Sequence, residues 1–259
     1  MATDIATTVR PRIEVRNLDM MYGDRVVQRD LNFIVETGDI FVIMGPSGTG
    51  KSTLLRHMIG LVAPARGDVY YDATPLWTGD DESRQRIIRR IGVLYQEGAL
   101  WSSMTLAENV ALPVEEFTDL PAATIRDVAC LKLALVGLEG FEDFYPPQLS
   151  GGMRKRAGLA RALALDPDIL FFDEPSSGLD PISSRHLDDL ILELRDSLGA
   201  TVVVVTHELA SIFAIGTRAV FLDDEAKTIT AAGSPTALLR ECRDPKVHRF
   251  LTRGGEPGR

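Results

Sequence analysis

The chain is predicted to be an α/β protein, with a mainly parallel sheet core, an antiparallel β patch near its start and a block of helices inserted between core strands. Three observations predict this. Ile40-Phe41-Val42-Ile43-Met44 is a continuous apolar run, as expected of a strand buried on both faces. Strand-like runs at 169–172, 201–205 and 219–222 are separated by a helical pattern over 182–198, the alternation that builds parallel sheets. From about 108 to 165, strand candidates are few, and helix-favouring stretches such as 125–136 and 154–165 take over.

Taken in order, Ile13-Glu14-Val15-Arg16 and Leu31-Asn32-Phe33-Ile34-Val35 read as alternating strands joined by the turn-prone Tyr22-Gly23-Asp24. Val69-Tyr70-Tyr71, after Gly67-Asp68, extends that antiparallel patch. The run ending at Met44 leads into a glycine-rich turn, after which Leu54, Leu55, Met58 and Ile59 recur at helical spacing. Ile91-Gly92-Val93-Leu94-Tyr95 reads as a further strand. No internal repeat and no Pro/Gly/Ser linker divides the chain, so its 259 residues are expected to share one large core.

Composition narrows the function classes. The formal charge of −9 and a sequence pI near 5.0 argue against a nucleic-acid backbone as the main partner, which would call for clustered Lys and Arg. Cys130 and Cys242 are far apart and carry no ligand pattern, so both are expected to be reduced thiols. Residues 1–12 lack the apolar core of a secretory leader. The longest apolar runs fall far short of the roughly 20 residues needed to span a bilayer. A soluble chain is expected, with any membrane role coming through a partner.

Gly45-Pro46-Ser47-Gly48-Thr49-Gly50-Lys51-Ser52 matches the phosphate-binding loop G-x-x-x-x-G-K-[ST] at every fixed position. Glycines let backbone N–H groups curl around phosphate oxygens. Lys51 can reach the β- and γ-phosphates, and the Ser52 hydroxyl can ligate Mg²⁺. The helix that follows, starting with Ser52 and Thr53, turns its positive end to the same anion. Ile169-Leu170-Phe171-Phe172-Asp173-Glu174 places two carboxylates at the carboxyl edge of the sheet, where open α/β folds bind ligands. Alone, such a pair serves more often as a turn or cap. Downstream of a phosphate loop, Asp173 suits a hydrated Mg²⁺ and Glu174 suits polarising the attacking water.

Further residues resemble the ABC ATPases in that family's order. Leu149-Ser150-Gly151-Gly152-Met153 resembles the signature usually written LSGGQ, with Ser150 placed to cap a helix. Gln96 resembles the Q-loop glutamine, and Ser177-Gly178-Leu179-Asp180-Pro181 the D-loop. His207 resembles the switch histidine, and Tyr22 the aromatic that stacks on adenine. The resemblance runs from about residue 12 to 240 and implies a P-loop NTPase with a RecA-like core. It implies one nucleotide-binding domain over 12–250: core 12–97 and 166–243, helical subdomain 98–165, and a tail over 244–259. It also implies roles. Lys51, Gln96, Glu174 and His207 would be catalytic, and Ser52, Gln96 and Asp173 would hold magnesium. Tyr22, Gly45, Pro46, Ser47, Gly48, Thr49, Gly50, Lys51, Ser52, Thr53 and Asp180 would contact ATP. Ser150, Gly151 and Gly152 would contact the ATP of a second copy, packed head to tail.

Within that family the chain is similar to the Mla/Mce-type lipid-transport ATPases. The likeness lies in 96–113, including Gly98-Ala99-Leu100-Trp101, in Met153, and in Asp244-Pro245-Lys246-Val247-His248-Arg249-Phe250-Leu251. It departs at Ser176, where an aromatic residue is expected. The resemblance implies a motor bound to the cytoplasmic face of the inner (plasma) membrane through permease subunits, with an MCE-domain protein and a small STAS-type regulator as further partners. A generic solute-importer motor is the alternative. A ribosome- or nucleic-acid-directed ABC ATPase fits less well, because those carry two such domains or long coiled-coil insertions.

Overall fold

The computed structural model describes residues 11–253. The reading of the first residues as free of a leader, and the end of the expected tail, fall outside them. The chain runs β1 (Pro11–Tyr22), β2 (Arg25–Glu36), β3 (Ile40–Met44), α1 (Lys51–Met58), β4 (Arg66–Tyr71) and β5 (Thr74–Pro75). It continues α2 (Asp81–Arg89), β6 (Ile91–Leu94), α3 (Leu106–Phe117), α4 (Ala122–Leu135) and α5 (Gly151–Ala162). Then follow β7 (Ile169–Asp173), α6 (Pro181–Leu198), β8 (Thr201–Val205), α7 (Leu209–Ile215) and β9 (Arg218–Leu222). It closes with β10 (Ile229–Gly233), α8 (Pro235–Glu241) and α9 (Pro245–Leu251).

The strands form two sheets. One is antiparallel, in the order β2-β1-β4-β5. The other, in the order β10-β9-β3-β8-β7-β6, is parallel except for β10. β3 and β8 are buried at all five positions, which is why they read as unbroken apolar runs. The N-terminal strands are longer than the alternation predicts. Their pairing continues to Tyr22 opposite Arg25 through irregularities after Val15 and Leu18, near Asn17 and Asp30 at positive φ. Each irregularity shifts the inward face by a residue and hides the period of two.

Three cores hold the layers together. Ile13, Leu18, Leu31 and Val69 of the antiparallel sheet pack with Leu54 and Met58 of α1 against Phe171 and Val203 of the parallel sheet. On the opposite face Val202 and Val204 meet Leu159, Leu187, Ile191 and the helices α3 and α4. Leu238, Val247 and Leu251 cover Val42, Met44 and Phe221. Part of the expected tail is therefore helix α9, with its apolar positions buried. The helix-favouring stretch 154–165 falls on α5, which Ser150 caps and which stops at Ala162. Helix α2 is capped by Asp80 and buries Ile87 alone. Among the described residues no helix is long and apolar enough to cross a membrane.

Candidate functional site

The loop between β3 and α1 sits at the carboxyl edge of the parallel sheet. Gly45 has φ 149°, and a Cβ there would lie 2.6 Å from the backbone oxygen of Leu222 on β9. Gly50 caps α1 in the left-handed conformation, φ 95°, with Val27 where a Cβ would project. Thr49 is buried, and its Oγ1 donates to the carbonyl of Pro46 (3.0 Å). From outside the motif, fully buried Gln28 on β2 donates Nε2 to the carbonyls of Thr49 (2.8 Å) and Asp223 (3.0 Å). One side chain thus ties the antiparallel sheet, the loop and the end of β9 together. The sequence reading missed it. The only signal was an amide at an inward-facing strand position.

Lys51 curls back into the loop, donating Nζ to the carbonyls of Gly45 and Pro46 (2.9 Å each). Burial pulls its pKa down, opposed by the charges of Glu174 and Asp173. Ser52 Oγ donates to Asp173 Oδ1 (2.8 Å), joining the start of α1 to the end of β7. Burial raises the Asp173 pKa, with the Ser52 hydrogen bond acting the other way.

Glu174, next in sequence, is buried and has φ 49°, a left-handed backbone uncommon outside glycine. Its N–H donates to the carbonyl of Val205 at the end of β8 (2.8 Å), which fixes one strand end to the next. His207, just past β8, brings Nδ1 to 2.8 Å from Glu174 Oε1. The other carboxylate oxygen, Oε2, is buried without a hydrogen-bond partner.

Tyr22, Arg25, Val27, Ser47, Gly48, Gly50, Lys51, Ser52, Thr53, Gln96, Glu174 and His207 line one open cleft of about 440 Å³. Tyr22 is 53% exposed there, as a stacking surface must be. Arg25, opposite Tyr22 across the hairpin, and Val27 were not foreseen. Gly45, Pro46 and Thr49 shape the loop from behind, and Asp173 reaches the cleft through Ser52.

Four predicted residues lie elsewhere. Asp180 caps α6, accepting from the N–H groups of Ile182 and Ser183 (3.0 Å each). Ser150 caps α5, accepting from the N–H of Met153 (3.2 Å). Ser150 and Gly152 border a separate cavity of about 60 Å³ with Leu179, Ser183 and His186, and Gly151 beside them is exposed. None of the three signature residues lines the cleft around Lys51.

A family model described as ABC transporter matches residues 28–177, which run from Gln28 through the phosphate loop and signature to Ser177. The chain belongs to the ABC transporter family. It is similar to MlaF of Haemophilus influenzae, an intermembrane phospholipid transport system ATP-binding protein. The identity is 41%, over 92% of this chain and 89% of MlaF. The Mycobacterium tuberculosis protein mkl, named a probable ribonucleotide transport ATP-binding protein, is 45% identical over 76% of this chain, which spans 55% of mkl. A dimeric ATP-binding cassette solved in a post-hydrolysis state with ADP and Pi superposes with a TM-score of 0.78 at 32% identity. That match covers 86% of this chain and 98% of the cassette.

Membership makes the chain an ATP-hydrolysing motor subunit of a transporter. The Lys51 ammonium, held on two loop carbonyls, is the positive charge placed in the phosphate-loop motif. Lys51→Ala is expected to weaken ATP binding about 10–100-fold, as losing a charge-assisted hydrogen bond of about 1.5–3 kcal/mol implies. Titration calorimetry checks this, and an unchanged affinity would contradict the assignment.

Proposed function

We propose that this chain powers the movement of phospholipid, or a related apolar molecule, through a membrane permease. The observation that carries the reading is the extent of the match: MlaF shares 41% identity over 92% of this chain, well beyond the ATP-binding motifs. In this reading the motor sits on the cytoplasmic face of the inner membrane, beside an MCE-domain protein and a small STAS-type regulator. The nucleotide-binding domain spans 12–250, with its helical part at 98–165.

Two copies would meet head to tail, so that Ser150, Gly151 and Gly152 of each cover the other's γ-phosphate. Their position away from the chain's own cleft supports this. So does the start of α5, which offers backbone N–H groups and the positive end of a helix dipole. The fit to Mg²⁺ rests on the Ser52–Asp173 pair, a hydroxyl and a half-buried carboxylate 2.8 Å apart, which are oxygen donors of the kind that ion takes. Ser52, Asp173 and Gln96 would hold the ion, which supplies charge neutralisation to the phosphates. Oxygen from the phosphates and water would complete the shell. Glu174 would draw a proton from the attacking water while His207 holds the carboxylate in place. Most of the remaining acceleration is positioning and electrostatics.

The seat of the permease would be the groove of about 490 Å³ lined by Ile88, Tyr95, Pro113, Phe117 and Arg161. Tyr95 lines this groove, and its neighbour Gln96 lines the ATP cleft. A shift of the turn between them would be felt in both places. The test is extraction of the tagged chain in mild detergent and reconstitution of whatever accompanies it into liposomes. A polytopic membrane protein and ATP-dependent transfer of labelled phospholipid are expected. Recovery of a solute-importer complex without lipid transfer, or of ribosomes, would overturn the reading.

A further inference from the structure

Lys155 lies in the second turn of α5, the helix that begins at Ser150. It is 7% exposed, and its ammonium reaches the turn that follows Glu174. Nζ donates to the carbonyls of Glu174 (3.2 Å), Pro175 (2.7 Å) and Ser177 (2.6 Å). An ammonium has three donors, and all three are used on one turn of chain. Lys155 makes no ion pair among the described residues. Burial lowers its pKa, opposed by the more distant charges of Glu97 and Glu174. An apolar side chain would fill this space without the cost of desolvating a charge, so packing alone does not account for a lysine.

The turn is gripped from the other side as well. Ser176 is buried, with its Oγ 3.4 Å from Ser211 Oγ, and Ser211 in turn donates to Asp188 Oδ2 (3.0 Å). Ser211 belongs to α7, which follows His207, and Asp188 belongs to α6, which follows Asp180. The helix of the signature and the helix after the histidine therefore converge on four residues, of which Glu174 is the first, and the helix after Asp180 joins them through Ser211. Glu174 itself has the left-handed backbone that such a grip must hold.

We propose that Lys155 is a positioning residue for Glu174, holding the three carbonyls so that the carboxylate stays on His207 and faces the cleft. This rests on Glu174 as the base and on Ser150 as the contact to the partner's nucleotide. Because Lys155 and Ser150 share α5, engagement of the partner's ATP is passed to the chain's own base. The two ATP sites of the dimer are thereby coupled through one side chain.

Steady-state hydrolysis by the full chain in its membrane complex tests this, with Lys155→Met and Lys155→Gln. Lys155→Met is expected to lower kcat about 10-fold or more with ATP affinity unchanged, the split that marks a lost transition-state interaction. Lys155→Gln keeps two donors and should fall between Met and wild type. In the Glu174→Gln background Lys155→Met should cause no further loss, because it acts through that carboxylate. A wild-type kcat for Lys155→Met, an equal loss with and without Glu174, or affinity falling in step with kcat would each overturn the proposal. If Lys155→Met does not fold, Lys155→Gln decides: reduced kcat at unchanged affinity supports the role, and wild-type kcat refutes it. Continued turnover by Glu174→Gln alone would remove the base assignment and this proposal together. Loss there with none at Lys155 would remove only this one.

Discussion

Glu174→Gln is expected to bind ATP with unchanged affinity, to accumulate as an ATP-loaded dimer and to release almost no phosphate. The substitution is nearly isosteric, and an amide oxygen can still meet His207 Nδ1 at 2.8 Å. The backbone at φ 49° and its N–H bond to Val205 are untouched. What disappears is a charged acceptor for the proton of the attacking water. General-base catalysis contributes on the order of 10²–10⁴-fold, and the fall in kcat should lie in that range. Binding should survive, because Lys51, Ser52, Tyr22 and the loop N–H groups remain as they are. Phosphate-release kinetics give the first half of the result, and light scattering with and without ATP gives the second. A variant that turns over at the wild-type rate would show that another group activates the water. One that fails to bind ATP would show that Glu174 is structural.

The parts of this site that were legible in the sequence are those where backbone geometry restricts residue choice. Gly45 and Gly50 sit where a Cβ would meet the Leu222 carbonyl or Val27, so chemistry and spacing coincide. Two carboxylates after an apolar strand could be read because the strand is buried on both faces and must end at the sheet edge. The contacts that support the site were not legible. Gln28 looks like any strand glutamine until β2 is packed against the loop. Lys155 looks like any helix lysine until α5 docks beside β7.

Ser176 shows the same limit. At the sequence level it is a departure from the family pattern. In the fold its Oγ lies 3.4 Å from that of Ser211, 35 positions away, and Ser211 in turn donates to Asp188. The signature is different again. Its motif is plain, the resemblance implied a place away from the chain's own phosphate loop, and the fold sets it beside a different cavity.

That separation makes a mixing experiment decisive. Ser150→Arg and Lys51→Ala are each expected to abolish hydrolysis as homodimers, the first by driving a bulky side chain into the partner's site, the second by loosening the phosphate. If each ATP is held by one chain's loop and the other chain's signature, a mixed dimer collects both lesions in one site and leaves the second site whole. Random pairing makes half the dimers mixed, each with one intact site of two, so activity should recover to at most about a quarter of wild type. If Ser150 served its own chain, both sites of the mixed dimer would stay defective and nothing would return. Ser150 is a helix cap, so its loss also costs about 0.5–2 kcal/mol of local stability. That loss is the same in homodimer and heterodimer, and recovery on mixing cannot come from it. Measuring ATPase activity against the mixing ratio separates the two arrangements, because only the shared site gives a maximum at equal parts of two inactive proteins.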